Sequence, residues 1–263
     1  MRRRFFVDHF DSNSAAICGE TAEHLGRVLR AAPGQLYELS DGRTVWLGRV
    51  ERVDLPKRGE SRIDFALLEP VEAREAPLRI ILLLALVKFD RFEWCLEKAT
   101  ELGASEIVPL AAARSEKPLV AAAEKRRARW EKILLESSQQ ARRLRPPVLR
   151  LTNAPVLVAR AAGVVLKSGV AFAQAAADRK IILSERPDAP SLRDVLGQQG
   201  GDAPQSRRVS VASLSIGPEG GWTDEEFAAA RACGFAEASL GESILRTETA
   251  VLAAMAILGF ALS

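Results

Sequence analysis

Hydrophobic residues fall along this chain in two rhythms. Through residues 1–73 they come as short alternating stretches at 5–7, 35–39, 44–53 and 62–68, the two-residue period of half-buried strands. Pro33-Gly34, Asp41-Gly42 and Lys57-Arg58-Gly59 separate them, and Asp41-Gly42 between two alternating stretches signals a hairpin. One helix is expected over 21–29, with Leu25, Val28 and Leu29 on one face. Several short strands at this spacing suggest a small barrel. Residues 69–78, with Pro70 and Pro77, read as a linker.

Beyond the linker the rhythm becomes strand–helix alternation. Residues 79–87 are almost continuously apolar, as in a strand buried on both faces. Asp90 and Glu93 resemble an N-cap pair for a helix that aligns Phe92, Leu96, Ala99 and Leu102 and ends at Gly103. A strand follows at 106–110, then a long helix over 124–145 with Trp130, Ile133, Leu134, Ser138 and Ala141 on one face, ended by Pro146-Pro147. Residues 156–166 read as an alanine-rich helix, 181–183 as a short strand ending in Ser184-Glu185, and 197–206 as a flexible loop.

The most informative stretch comes next. A strand over 209–216 runs into the turn Gly217-Pro218-Glu219-Gly220-Gly221. Thr223 with Glu226 forms a capping box for a helix that stops at Gly234. A short strand near 238–240 enters a second glycine turn at Gly241, and an apolar helix covers 250–262. This alternation predicts an α/β fold with a parallel sheet. In open α/β sheets, ligands bind beyond the C-terminal ends of the strands, where both turns sit.

Composition changes this picture little. At 263 residues the chain suits one large domain or two, and 48% hydrophobic with 27% charged residues is an ordinary globular balance. A net charge of +3 does not by itself imply nucleic acid; clustering does. Arg2, Arg3 and Arg4 with Arg27 and Arg30 form one group suited to RNA phosphates. The long helix carries eight basic residues against Glu124, Glu131 and Glu136, a lopsided ratio that favours a phosphate-facing role. Cys18, Cys95 and Cys233 stand far apart without metal spacing, which points to reduced thiols in a cytoplasmic protein. The apolar runs are too short to span a bilayer, and the one after Arg4 is too short for a signal peptide.

The glycine turns lack both the G-x-G-x-x-G and the P-loop pattern, and neither holds a lysine to meet a triphosphate. Backbone edges together with Ile216, Leu240, Ile244 and Leu245 suit an adenine or adenosine group. On glycine content alone, two ordinary βα turns explain the pattern more readily. Sequence similarity shifts that balance. IGPEGG at 216–221 and LG-x-x-ILRTETA at 240–250 resemble the two most distinctive motifs of the RsmE family, as do RRFFV near the start, HLGRVLRAAPG at 24–34, KATELGASEIVP at 98–109 and Arg129-Trp130. That family comprises SPOUT-class methyltransferases acting on N3 of a uridine in small-subunit (16S) ribosomal RNA with S-adenosylmethionine.

The resemblance covers most of the chain and implies a PUA-like β-barrel RNA-binding domain over 1–73 and a SPOUT methyltransferase domain over 74–263, with a parallel sheet and a trefoil knot. It implies cofactor contacts from Leu183 and Ser184, from Ile216, Gly217, Pro218, Glu219, Gly220 and Gly221, and from Leu240, Gly241, Ile244, Leu245, Arg246, Thr247, Thr249 and Ala250. RNA contacts are expected at Arg2, Arg3, Arg4, Arg27, Arg30, Lys88, Arg129 and Arg143. The implied partners are small-subunit ribosomal RNA or the assembled 30S particle and a second copy of the chain, with the last helix in the homodimer interface; no metal and no membrane are implied. Gln139 stands where the family commonly has an acid, and Phe89 also departs from its pattern.

Methyl transfer to a uracil N3 requires removal of its proton and stabilisation of charge on O2 and O4. His9, His24 and Tyr37 all lie in the front domain, so an imidazole base is not expected. Arg246 is expected to meet the pyrimidine oxygens or a flanking phosphate, with Arg143 assisting and Glu248 orienting Arg246 or accepting the proton through water. A purely structural Arg246–Glu248 pair is the alternative for those two residues. The competing functions are a SPOUT enzyme acting on another RNA or on ribose oxygen, and a non-catalytic RNA-binding module.

Overall fold

The computed structural model describes residues 3–73, 76–151, 165–197 and 211–262. The chain divides into two compact units, Met1–Glu75 with Ser138–Pro146, and Ala76–Ser137 with Pro147–Ser263.

The first unit is built on β1 (Arg4–Phe6), β2 (Ser14–Cys18), β3 (Leu36–Ser40), β4 (Val45–Asp54) and β5 (Arg62–Pro70), in the order β1-β3-β4-β5-β2. β1 runs parallel to β3 and the other pairs are antiparallel. The sheet curls as a half-barrel. Register shifts at Leu47/Gly48 and Val50/Arg52 in β4 supply bends. The hairpin at Asp41-Gly42 forms as expected. Gly42 takes φ +83°, and the Asp41 carboxylate accepts from the backbone N–H groups of Arg43 and Thr44 at 2.8 and 2.7 Å. Helix α1 (Gly19–Glu23) continues as a π-helical turn over His24–Val28, which buries Leu25 against Phe5, Ile63 and Phe65. β2 escaped the sequence pattern because it buries only Ala15 and Ile17.

Ser138–Pro146 belongs to this unit through polar contacts. The Glu38 carboxylate accepts from Arg4 Nε and Nη2 at 3.1 and 2.9 Å and pairs with Arg142. Arg4 Nη1 donates to the Arg142 carbonyl at 2.6 Å, and Ser40 Oγ donates to the Leu144 carbonyl at 2.7 Å.

The second unit holds a seven-stranded, all-parallel sheet: β6 (Arg79–Ala85), β7 (Ala104–Ala111), β8 (Val148–Leu149), β9 (Leu166–Lys167), β10 (Arg179–Leu183), β11 (Val211–Ile216) and β12 (Ala236–Ala238). The order is β12-β10-β11-β6-β7-β8, with β9 also on β7. β6 explains its own apolar run. Ile80, Leu82 and Leu84 enter a core with Phe92 and Leu96 of helix α2 (Phe89–Glu101), Trp130 of α3 (Lys117–Gln140), and Val251 and Met255 of α7 (Thr247–Leu262). Ile81, Leu83 and Ala85 enter the opposite core with Phe172 of α4 (Ser168–Gln174) and Phe227 of α6 (Asp224–Ala232). A further short helix, α5 (Leu192–Gly197), follows β10.

Several local expectations change. Asp90 and Glu93 do not cap α2: its N-cap residue is Lys88, and Glu93 pairs instead with Arg129 at 2.7 Å and Arg126 at 3.5 Å. Helix α3 begins at Lys117, with Pro118 in its first turn, and ends before Arg142, whose φ of +52° is incompatible with a continuing helix. Leu166 lies in β9 rather than a helix; the rest of the expected helix to residue 164, most of the 197–206 loop and the start of the 209–216 strand lie outside the described residues. The capping box forms as expected, with the Glu226 N–H donating to Thr223 Oγ1 and the Thr223 N–H donating to Glu226 Oε2.

Candidate functional site

Three neighbouring strands of the parallel sheet end at one cavity of about 410 Å³. Leu183 closes β10, Ile216 closes β11, and Ser239 and Leu240 follow β12; all four line the cavity. The first glycine turn forms one wall. A Cβ on Gly217 would stand 3.1 Å from the Trp222 indole, so glycine lets that ring close against the backbone. Trp222 in turn donates its Nε1–H to the Leu183 carbonyl at 3.1 Å, joining the ends of two strands. The Gly221 N–H donates to the Pro218 carbonyl at 2.8 Å with φ +68° at Gly221, which tightens the turn.

The second glycine turn and the start of α7 form the facing wall. Ser239 Oγ donates to the Gly241 carbonyl at 2.9 Å and accepts the Gly241 N–H at 3.2 Å, while Gly241 takes φ +134°. Thr247 Oγ1 donates to the Gly217 carbonyl at 3.2 Å and ties the two walls together. A third segment, between β7 and α3, contributes Arg114, whose Nη1 donates to the Gly220 carbonyl at 2.5 Å. Arg186 also lines the cavity; its guanidinium pairs with Asp224 and lies 4.0 Å over the Phe227 ring.

Of the residues expected to hold a cofactor, Leu183, Ser184, Ile216, Gly217, Pro218, Gly220, Gly221, Leu240, Gly241, Ile244, Leu245, Thr247 and Ala250 meet at this cavity. Glu219, Arg246 and Thr249 are not among its lining residues. Glu219 pairs with Arg91 of α2 at 2.8 Å, and Arg246 and Thr249 are exposed. Sequence reasoning missed Arg114, Arg186, Trp222, Asp224 and Phe227 as lining residues. Trp222 and Phe227 could have been found, since one ends the glycine turn and the other follows the capping box. Arg114 has no local signal, because only the sheet brings its loop to Gly220.

The expected pairing of Glu248 with Arg246 does not form. Among the described residues the cation nearest Glu248 is Arg91, with its Nε 4.0 Å from Oε1. Positions 246 and 248 are two apart at a helix start, and residues at that spacing do not face one another. Arg143 belongs to the first unit; it is half-buried, and burial pulls its pKa below the usual arginine value. Arg4, expected to face RNA, is a correction: it is 5% exposed and its guanidinium is held by Glu38 and the Arg142 carbonyl. Arg3, Arg27, Arg30, Lys88 and Arg129 are exposed, Arg129 in a pair with Glu93, and Arg2 lies outside the described residues. Gln139 is buried, and Phe89 stacks edge-on against Trp130 beneath the Arg126 guanidinium. Among the described residues no helix is long and apolar enough to cross a membrane.

A family profile for the RNA methyltransferase domain matches residues 74–259. Ribosomal RNA small subunit methyltransferase E of Synechocystis sp. is 33% identical over 89% of this chain and 68% of its own length. Its counterpart in Bacillus subtilis is 30% identical over 93% and 89%. Among solved structures, the Neisseria gonorrhoeae ribosomal RNA small subunit methyltransferase E bound to S-adenosylmethionine is similar with TM-score 0.77 and 28% identity, covering 99% of this chain and 98% of that one. A putative methyltransferase from Legionella pneumophila, also in complex with that cofactor, has the same TM-score, identity and coverage.

Proposed function

Because the chain belongs to the ribosomal RNA small subunit methyltransferase E family, of the RNA methyltransferase domain type, we propose that it methylates N3 of a uridine in small-subunit ribosomal RNA with S-adenosylmethionine. The observation that carries this reading is the convergence of both glycine turns and the end of β10 on a single cavity. Its volume, about 410 Å³, suits a ligand of adenosyl size. Leu183, Ile216, Leu240 and Leu245 offer apolar surface to a purine, while glycines at 217, 220 and 221 leave backbone groups accessible to its polar edge. The residues therefore fit the cofactor. When bound, it supplies an electrophilic methyl on a sulfonium.

The chain supplies positioning and charge. Thr247 and Trp222 fix the spacing of the cavity walls before any ligand enters, which is the preorganisation that electrostatic catalysis needs. Arg246, exposed and without an ion pair among the described residues, is free to meet the uracil oxygens or a flanking phosphate. Glu248 is proposed to accept the N3 proton through water, and Arg143 to assist in holding the RNA. Exposed Arg3, Arg27, Arg30, Lys88 and Arg129 support RNA binding in the same reading, with the residue 1–73 region as the RNA-holding domain and 74–263 as the methyltransferase domain. The partner is ribosomal RNA or the assembled 30S particle, in the cytoplasm.

A homodimer is part of the proposal. Helix α7 leaves Leu252, Ile257 and Phe260 at 41, 39 and 91% exposure, an apolar stripe that a second copy would cover.

The test is direct methylation. Small-subunit ribosomal RNA lacking the modification, free or as 30S particles, is incubated with the protein and cofactor and digested for nucleoside mass spectrometry. 3-Methyluridine is expected. A different methylated nucleoside removes the N3 assignment, and near-normal turnover by Arg246→Ala, with cofactor binding verified, removes Arg246 from the mechanism.

A further inference from the structure

Two charges of opposite sign flank one glycine of the cavity wall. At Gly221, where φ is +68°, the position a Cβ would occupy lies 3.9 Å from Arg114 Nη1 and 3.9 Å from Glu185 Oε2. Both residues line the cavity and both are exposed. They do not pair with each other, and among the described residues neither forms an ion pair. The other lining arginine differs: the charge of Arg186 is already matched by Asp224.

Arg114 is also held in place. The Ala113 N–H donates to Glu226 Oε1 at 2.9 Å, and Ser115 Oγ donates to the Leu86 carbonyl at 3.0 Å, so the residues on both sides are anchored. One of its N–H groups is used on the Gly220 carbonyl, which leaves most of the guanidinium fork for a ligand. A fork of this kind suits a carboxylate, and a nearby carboxylate suits an ammonium. An α-amino acid carries both groups on one carbon.

We propose that Arg114 and Glu185 form a subsite for the charged ends of an α-amino acid, Arg114 taking the carboxylate and Glu185 the ammonium, and that the occupant is the amino-acid tail of the methyl donor. This rests on the cofactor reading above. Gly221 matters here because any side chain at that position would stand between the two charges.

The test is calorimetric binding of two ligands that share the adenosine part. S-adenosylhomocysteine carries the amino-acid tail; 5′-methylthioadenosine lacks it. Arg114→Gln is expected to weaken S-adenosylhomocysteine about tenfold and to leave 5′-methylthioadenosine within about twofold of the unaltered protein. Glu185→Gln is expected to show the same selectivity, and because Glu185 is exposed it serves should Arg114→Gln fail to fold. Equal losses for both ligands would mean that Arg114 acts only through the Gly220 turn and would overturn the subsite, as would unchanged affinity for S-adenosylhomocysteine. Failure of the unaltered protein to bind either ligand would instead sink the cofactor reading itself.

Discussion

Cys95 shows what a single buried group does to the pH behaviour of this protein. Burial, then the charges of Glu248 and Glu219, push its thiol up from 9.0 to about 12. A raised pKa in the folded state means that the unfolded chain loses its proton first. The contribution is therefore complete below pH 9 and disappears as pH rises toward 12. Cys95→Ala is expected to show a shallower alkaline loss of stability, by up to about 1.4 kcal/mol per pH unit, in urea titrations from pH 8 to 10.5. Glu38 makes the opposite kind of contribution. It sits between Arg4 and Arg142 with 4% of its side chain exposed, so Glu38→Ala leaves Arg4 buried without a counter-charge. A loss of about 3–5 kcal/mol in chemical denaturation is expected, with Glu38→Gln costing less.

At the scale of elements, α6 is the case in which local sequence and structure agree throughout. Thr223 and Glu226 exchange hydrogen bonds at its start, and Gly234 takes φ +82° past its end. Thr223→Ala is expected to cost about 1 kcal/mol, read from denaturant midpoints. Glu226 Oε1 also accepts from Ser168 Oγ at 2.7 Å, a bond to α4 that does not involve the Thr223 hydroxyl. The parallel strand β6 could be read for a related reason: past Arg79 it is buried on both faces and is apolar throughout, whereas β11, equally buried, interrupts its apolar run with Ser213 and Ser215. Elements whose stability comes from elsewhere could not. Ser14–Cys18, Ser168–Gln174 and Leu192–Gly197 are short and mix small with polar residues, so only their neighbours make them strands or helices. The glycine turns announced the cavity, whereas Arg114 reaches it from a sequence-distant segment and left no motif. The exposed stripe on α7 carries its own prediction: Phe260→Asp is expected to shift sedimentation from dimer to monomer while leaving the monomer's fold intact.

For the molecule as a whole, the basic residues matter as a set. Arg27 and Arg30 are exposed near the π-helical turn. Replacing both with alanine is expected to weaken RNA binding across sequences and to reduce the salt dependence of log K by about one for each phosphate no longer neutralised. Cofactor affinity should not change, and calorimetry on the same variant checks that. Arg4 should not behave as a member of this set, because its substitution acts on stability.

The first unit is also discontinuous in the chain, and that bears on how the protein is made. Synthesis completes β1 to β5 by Pro70, yet Arg142 and Leu144, which bind Glu38 and Ser40, emerge only after β6, β7 and the whole of α3. On the ribosome, the half-barrel must wait with the Arg4–Glu38 pair formed but with Arg4 Nη1 and Ser40 Oγ lacking their carbonyl acceptors until the nascent chain has passed Pro146. A fragment ending at residue 73 lacks those acceptors, and its melting is expected to sharpen when a synthetic 138–146 peptide is added in trans.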